Sequence, residues 1–171
     1  MGENINNGQG ILFVIEDDPN IATILNIFLT KKGYEVIIAM TGYEAVKRYD
    51  ALREKNTKIH KILLDQILPD ANGLIVLENI VKKYALPREY VAEKVIFTSG
   101  NLPQDAANAK NNSLAEDAKR IGIKYFSPKP FYLDELLNLI KNQPTPCLAI
   151  QKHDPAFAKA ASYYSNIQAS Q

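Results

Sequence analysis

Short, unbroken apolar runs punctuate the chain, each stopped by polar or acidic residues, with helical periodicity between them. Residues 11–15 (Ile-Leu-Phe-Val-Ile) are the first run. Apolar β-branched and aromatic residues without alternation predict a strand buried on both faces. Three acids follow, Glu16, Asp17 and Asp18, then Pro19. Over 19–32, Ile21, Ile24, Leu25 and Phe28 recur at helical spacing, and Gly33 offers a stop. A second strand is predicted over 35–40 and a second helix over 43–54, with Ala45, Val46, Tyr49 and Leu52 inward. A third strand over 61–64 ends in Asp65, and the turn 68–73 leads to a helix over 74–84. Residues 86–93 read as a connector. A fourth strand over 94–98 is stopped by Ser99-Gly100, and a long polar stretch, 101–112, follows. Ser113 and Glu116 fit a capping box for a helix over 114–121. A fifth strand over 124–127 ends at Pro128-Lys129-Pro130, before a helix over 133–141.

Five β-α units in succession predict an α/β fold: a doubly wound parallel sheet with helices on both faces. In such sheets, sites form beyond the carboxyl ends of the strands. The first strand presents Glu16 and Asp17 there, the third Asp65, the fourth Thr98 and Ser99, and the fifth Lys129. Neighbouring strands would bring three carboxylates, a hydroxyl and an ammonium to one rim. Two like charges 4 Å apart repel by about 4 kcal/mol at an effective dielectric near 20, so such acids recruit cations. Lys129 supplies one positive charge, and an all-oxygen donor set suits Mg²⁺. An aspartate beside Mg²⁺ and lysine is placed to attack a phosphoryl group.

Composition narrows the classes. The 171 residues allow one ordinary domain with a surplus. A hydrophobic share of 46% and a charged share of 23% are ordinary for a soluble globular chain, and net charge +1 marks out neither nucleic acid nor an anionic membrane as partner. One cysteine, Cys147, excludes an intrachain disulfide and a multi-cysteine metal cage. No run reaches transmembrane length, and the polar, acidic start is not a secretory signal, so a cytoplasmic protein is expected. No phosphate-binding Gly-x-x-x-x-Gly-Lys motif occurs. His60, just before a strand, reads as solvent-facing or capping, and His153 lies in the tail. Residues 1–10 read as a mobile leader, and 143–171 as an extension with one short terminal helix from Asp154-Pro155.

Four segments, in order, resemble the receiver domain of two-component response regulators, the family of the chemotaxis receiver. They are Ile11-Leu-Phe-Val-Ile-Glu-Asp-Asp-Pro19, Ile62-Leu-Leu-Asp-Gln-Ile-Leu-Pro-Asp-Ala-Asn-Gly73, Val95-Ile-Phe-Thr-Ser-Gly100 and Tyr125-Phe-Ser-Pro-Lys-Pro-Phe131. The resemblance covers 11–142 and implies a five-stranded flavodoxin-like sheet of order 2-1-3-4-5. It implies that Asp65 is the phosphoacceptor, and that Glu16, Asp17, Asp65 and the backbone carbonyl of Ile67 hold Mg²⁺. Ser99 and Lys129 would engage the phosphoryl group, Ser99 and Phe126 would form the switch, and the Lys129–Pro130 bond would be cis. The implied donor is a histidine kinase or histidine phosphotransfer protein, with output through a downstream protein; on the charge balance no nucleic-acid or membrane partner is expected, and a homodimer is left open. Departures from the usual pattern are Glu16 for aspartate, Phe126 for tyrosine, and the added length over 101–112. Two rival readings are an unphosphorylated binding module of the same fold and an aspartate-based phosphohydrolase. The second usually carries another aspartate two residues beyond the nucleophile, where this chain has Ile67. The 29 residues after Asn142 leave no room for an output domain within this chain.

Overall fold

A computed structural model describes residues 8–100, 113–130 and 132–141. The leader up to residue 7, the polar stretch 101–112, and the extension with its terminal helix, Cys147 and His153 lie outside the described residues. The elements run β1 (Ile11–Ile15), α1 (Pro19–Lys31), β2 (Glu35–Ala39), α2 (Gly42–Glu54), β3 (Ile59–Asp65), α3 (Gly73–Tyr84), α4 (Arg88–Lys94), β4 (Val95–Ser99), α5 (Ser113–Ile121), β5 (Tyr125–Pro128) and α6 (Leu133–Ile140). The five strands form one parallel sheet of order β2-β1-β3-β4-β5, as expected.

Alternate residues of each central strand feed two cores. Phe13, Ile15, Ile62, Leu64, Val95 and Phe97 pack with α2, α3, α4 and α5 on one face. Leu12, Val14, Leu63 and Ile96 pack with α1 and α6 on the other. This double burial is why the strands read as unbroken apolar runs.

Three local readings need correction. The stretch expected as a connector contains α4, and Lys94 ends that helix instead of opening β4. Seven residues are too few for a periodic signal; Pro87 at the N-cap was the available cue. The buried stripe of α1 is Ala22, Leu25 and Leu29, while Ile24 is 52% exposed. β3 begins at Ile59, two residues before the expected start, so His60 belongs to the strand. His60 is half-buried, stacks on Tyr34 at 5.7 Å and places Nε2 3.1 Å from the Ile140 carbonyl. Lys61 is only 1% exposed; its ammonium donates to the Glu93 carbonyl at the end of α4 and lies 5.4 Å from the Tyr125 ring centroid.

Candidate functional site

Register brings the strand ends level. Ile15 pairs with Leu64, Asp65 with Thr98, and Ser99 with Pro128. Backbone bonds continue past the strands: Glu16 N–H donates to Ala39 O, Gln66 N–H to Thr98 O and Lys129 N–H to Ser99 O. Glu16, Asp65, Ser99 and Lys129 therefore sit at neighbouring positions along one rim.

The three consecutive acids divide their work. Asp18 is the N-cap of α1, its Oδ1 accepting from Asn20 N–H at 2.8 Å and Ile21 N–H at 3.3 Å. Glu16 and Asp17 gather with Asp65 so that one carboxylate oxygen from each lies within 4.8 Å of the others. Glu16 is 2% exposed and Asp65 6%. The Lys129 ammonium bridges the two buried acids, 2.8 Å from Glu16 and 2.9 Å from Asp65. Asp65 Oδ1 also accepts from Gln66 N–H at 2.8 Å.

Burial pushes both Glu16 and Asp65 above their ordinary values, although Lys129 pulls each the other way. Burial also opposes the Lys129 charge, but its hydrogen bonds to Glu16 and Asp65 outweigh that and raise its pKa. One ammonium shared by two buried carboxylates is held charged itself while under-compensating both acids.

The other expected residues fall around this cluster. Ser99 is buried, and its hydroxyl donates to Gln66 Oε1. Thr98 faces the sheet interior, its hydroxyl 3.4 Å from Leu64 O. Phe126 is half-buried and meets Phe97 edge-on, with centroids 6.2 Å apart. The Lys129–Pro130 bond is cis. Ile67 lies in a tight hairpin beyond β3, where Gly73 N–H donates to Gln66 O and Leu68 N–H to Ala71 O. Those bonds leave the Ile67 carbonyl outside the hairpin's own pairing. Gly73 is required here, since a Cβ would lie 2.0 Å from the Asp65 carbonyl oxygen. Two residues went unassigned in the sequence: Gln66, the acceptor for Ser99, and Asp70, at the hairpin tip. Neither type carries a pattern signal beyond its place in a turn.

The family model described as "Response regulator receiver domain" matches residues 12–141. The chain belongs to the response regulator receiver family, the receiving domain of two-component signal transduction. It is 32% identical over 133 residues to the transcriptional regulatory protein CrdR of Helicobacter pylori, covering 78% of this chain and 54% of that one. The chain thus spans about half the length of that relative. The expected lack of a nucleic-acid partner rests on this chain's charge balance alone and does not extend to such a longer protein. Among solved structures, a CheY-like receiver domain protein of Methanospirillum hungatei JF-1 is 25% identical, with TM-score 0.59 over 77% of this chain and 90% of that one. TrrA of Thermotoga maritima, solved in complex with Mg²⁺ and BeF, shares the fold at 24% identity and TM-score 0.58, over 79% and 99%. Among the described residues, no helix is long and apolar enough to cross a membrane.

Proposed function

We propose that this chain accepts a phosphoryl group on Asp65 from a phosphohistidine of a kinase or phosphotransfer protein and signals by altered binding to a downstream partner. The observation that carries the reading is the Lys129 ammonium bridging Glu16 and Asp65, with Asp17 completing the acid cluster. Three carboxylates against one ammonium leave excess negative charge on oxygen donors alone, which fits a small hard dication such as Mg²⁺. Glu16, Asp17, Asp65 and the Ile67 carbonyl are the groups that would hold it. When bound, Mg²⁺ neutralises charge on the oxygens of the transferring phosphoryl group.

In the transfer, an Asp65 oxygen attacks phosphorus and a P–O bond forms. The P–N bond to the donor imidazole breaks, and the imidazole leaves with the electron pair. Lys129 steadies the Asp65 carboxylate beforehand and a phosphoryl oxygen afterwards. The Ser99 hydroxyl exchanges Gln66 Oε1 for a phosphoryl oxygen, and Phe126 moves toward the space this opens. Each contact favours one of two pre-existing states. Attack of water on phosphorus later releases inorganic phosphate and restores the Asp65 carboxylate.

The test is intact-mass measurement after incubating the full chain with phosphoramidate and Mg²⁺. Wild type gains one phosphoryl group; Asp65→Ala, and wild type in EDTA, gain none. A gain that persists in Asp65→Ala moves the acceptor elsewhere. A wild type that gains none from phosphoramidate or from a phosphohistidine donor overturns the reading.

A further inference from the structure

Asp70 is the tip of the hairpin that carries Ile67, yet its carboxylate bonds outside that hairpin. Its Oδ1 accepts from Gly42 N–H at 2.6 Å and its Oδ2 from Tyr43 N–H at 2.8 Å. Gly42 and Tyr43 are the first two residues of α2, where backbone N–H groups have no partner within the helix. Contact there is close: a Cβ on Gly42 would lie 2.7 Å from Val76 Cγ2 and 3.1 Å from Asp70 Oδ1. α2 already has a cap, since Thr41 Oγ1 accepts from Glu44 N–H at 3.0 Å. Asp70 therefore does more than cap a helix. It ties α2 to a loop anchored at its other end by Asp65, Gln66 and Gly73.

We infer that Asp70 is a positioning residue for the acid site, holding the Ile67 arm by staking the hairpin tip to the N-terminus of α2. The inference rests on the proposed role of the Ile67 carbonyl as a ligand. With both ends fixed, Ile67 between them has little freedom, and its carbonyl is presented without an ordering cost at binding. Without Asp70 the tip is released, and the carbonyl must be ordered anew each time a cation binds. Outer partners of metal ligands are commonly worth tenfold or more in affinity, so the expected loss is about tenfold.

The experiment compares wild type, Asp70→Ala and Thr41→Ala as full chains. Thr41→Ala removes the other α2 cap without touching the hairpin, so it controls for a merely structural effect. Mg²⁺ affinity is read from amide chemical shifts during titration, and local order from hydrogen exchange at Gly42 and Tyr43. The expected result is faster exchange at both amides and about tenfold weaker Mg²⁺ binding in Asp70→Ala, with wild-type affinity in Thr41→Ala. Equal affinity in Asp70→Ala and wild type overturns the inference alone, as does equal weakening in both variants. A wild type that binds no Mg²⁺ overturns the proposed function and this inference with it.

Discussion

Replacing Asp65, the proposed acceptor, should leave the cation-free protein at neutral pH no less stable, and more stable by about 1 kcal/mol. Asp65 attracts Lys129 across 2.9 Å, worth about 6 kcal/mol at an effective dielectric near 20. One of its oxygens lies within 4.8 Å of one from each of Glu16 and Asp17, and at that distance each pair repels by about 3–4 kcal/mol at the same dielectric. The two repulsions together match or exceed the attraction, and burial of the charge adds to the cost. Asp65→Asn keeps the shape, leaves Lys129 paired with Glu16, and removes both penalties. The sign follows from the titration. Asp65 has a pKa raised above its ordinary 3.8, so its folded state binds protons more readily than the unfolded chain. The stability this provides is fully present below about 3.8 and is lost as pH rises through the folded value. The advantage of Asp65→Asn should therefore be large at pH 7.5 and shrink as pH falls toward 4. Urea denaturation followed by circular dichroism in EDTA measures it. A variant less stable than wild type by 1 kcal/mol or more at pH 7.5, or a difference that does not shrink on acidification, refutes the electrostatic reasoning.

Three further outcomes follow from the geometry. Gly73→Ala forces a Cβ against the Asp65 carbonyl and should cost about 3 kcal/mol in urea denaturation, with loss of phosphoryl uptake; an unchanged midpoint would contradict the close approach. Asp18→Ala should cost about 1 kcal/mol of stability through the lost α1 cap while phosphoryl uptake by mass persists, whereas Asp17→Ala should do the reverse. Burial lowers the His60 pKa below its ordinary 6.5, against the pull of the Ile140 carbonyl, so its contribution is intact above that value and lost as pH falls. Wild type should thus lose stability relative to His60→Phe between pH 7 and pH 5, and a pH-independent difference in thermal midpoint would contradict this.

The central strands were legible because both faces are buried, which draws β1, β3 and β4 toward continuous apolar runs. The candidate residues of the rim could be picked out as well, because topology places whatever ends a strand on a common edge. What escaped is what depends on tertiary context. α4 is too short to show a period, and it is held by neighbours: Tyr90 meets the Tyr49 hydroxyl at 3.2 Å, and Arg88 donates to Lys119 O at 2.6 Å. The near-complete burial of Lys61 in β3 contradicts any hydropathy rule and is tolerated because the end of α4 offers its ammonium a carbonyl. In α1 the buried stripe runs through Ala22, Leu25 and Leu29 and leaves Ile24 outside, a choice of face that the helical period alone leaves open. Asp70 read as an ordinary turn residue, since its partners lie 27 and 28 positions away.

The Lys129–Glu16 contact spans 113 positions of sequence, joining the end of the first strand to the residue after the last. Contacts that distant form only once the intervening chain has closed its loops. A chain folded through β4 but not β5 would hold its acids at the rim with no ammonium between them. The charge balance of the acid cluster, and with it the phosphoryl acceptance proposed for Asp65, would then be completed only with the final strand.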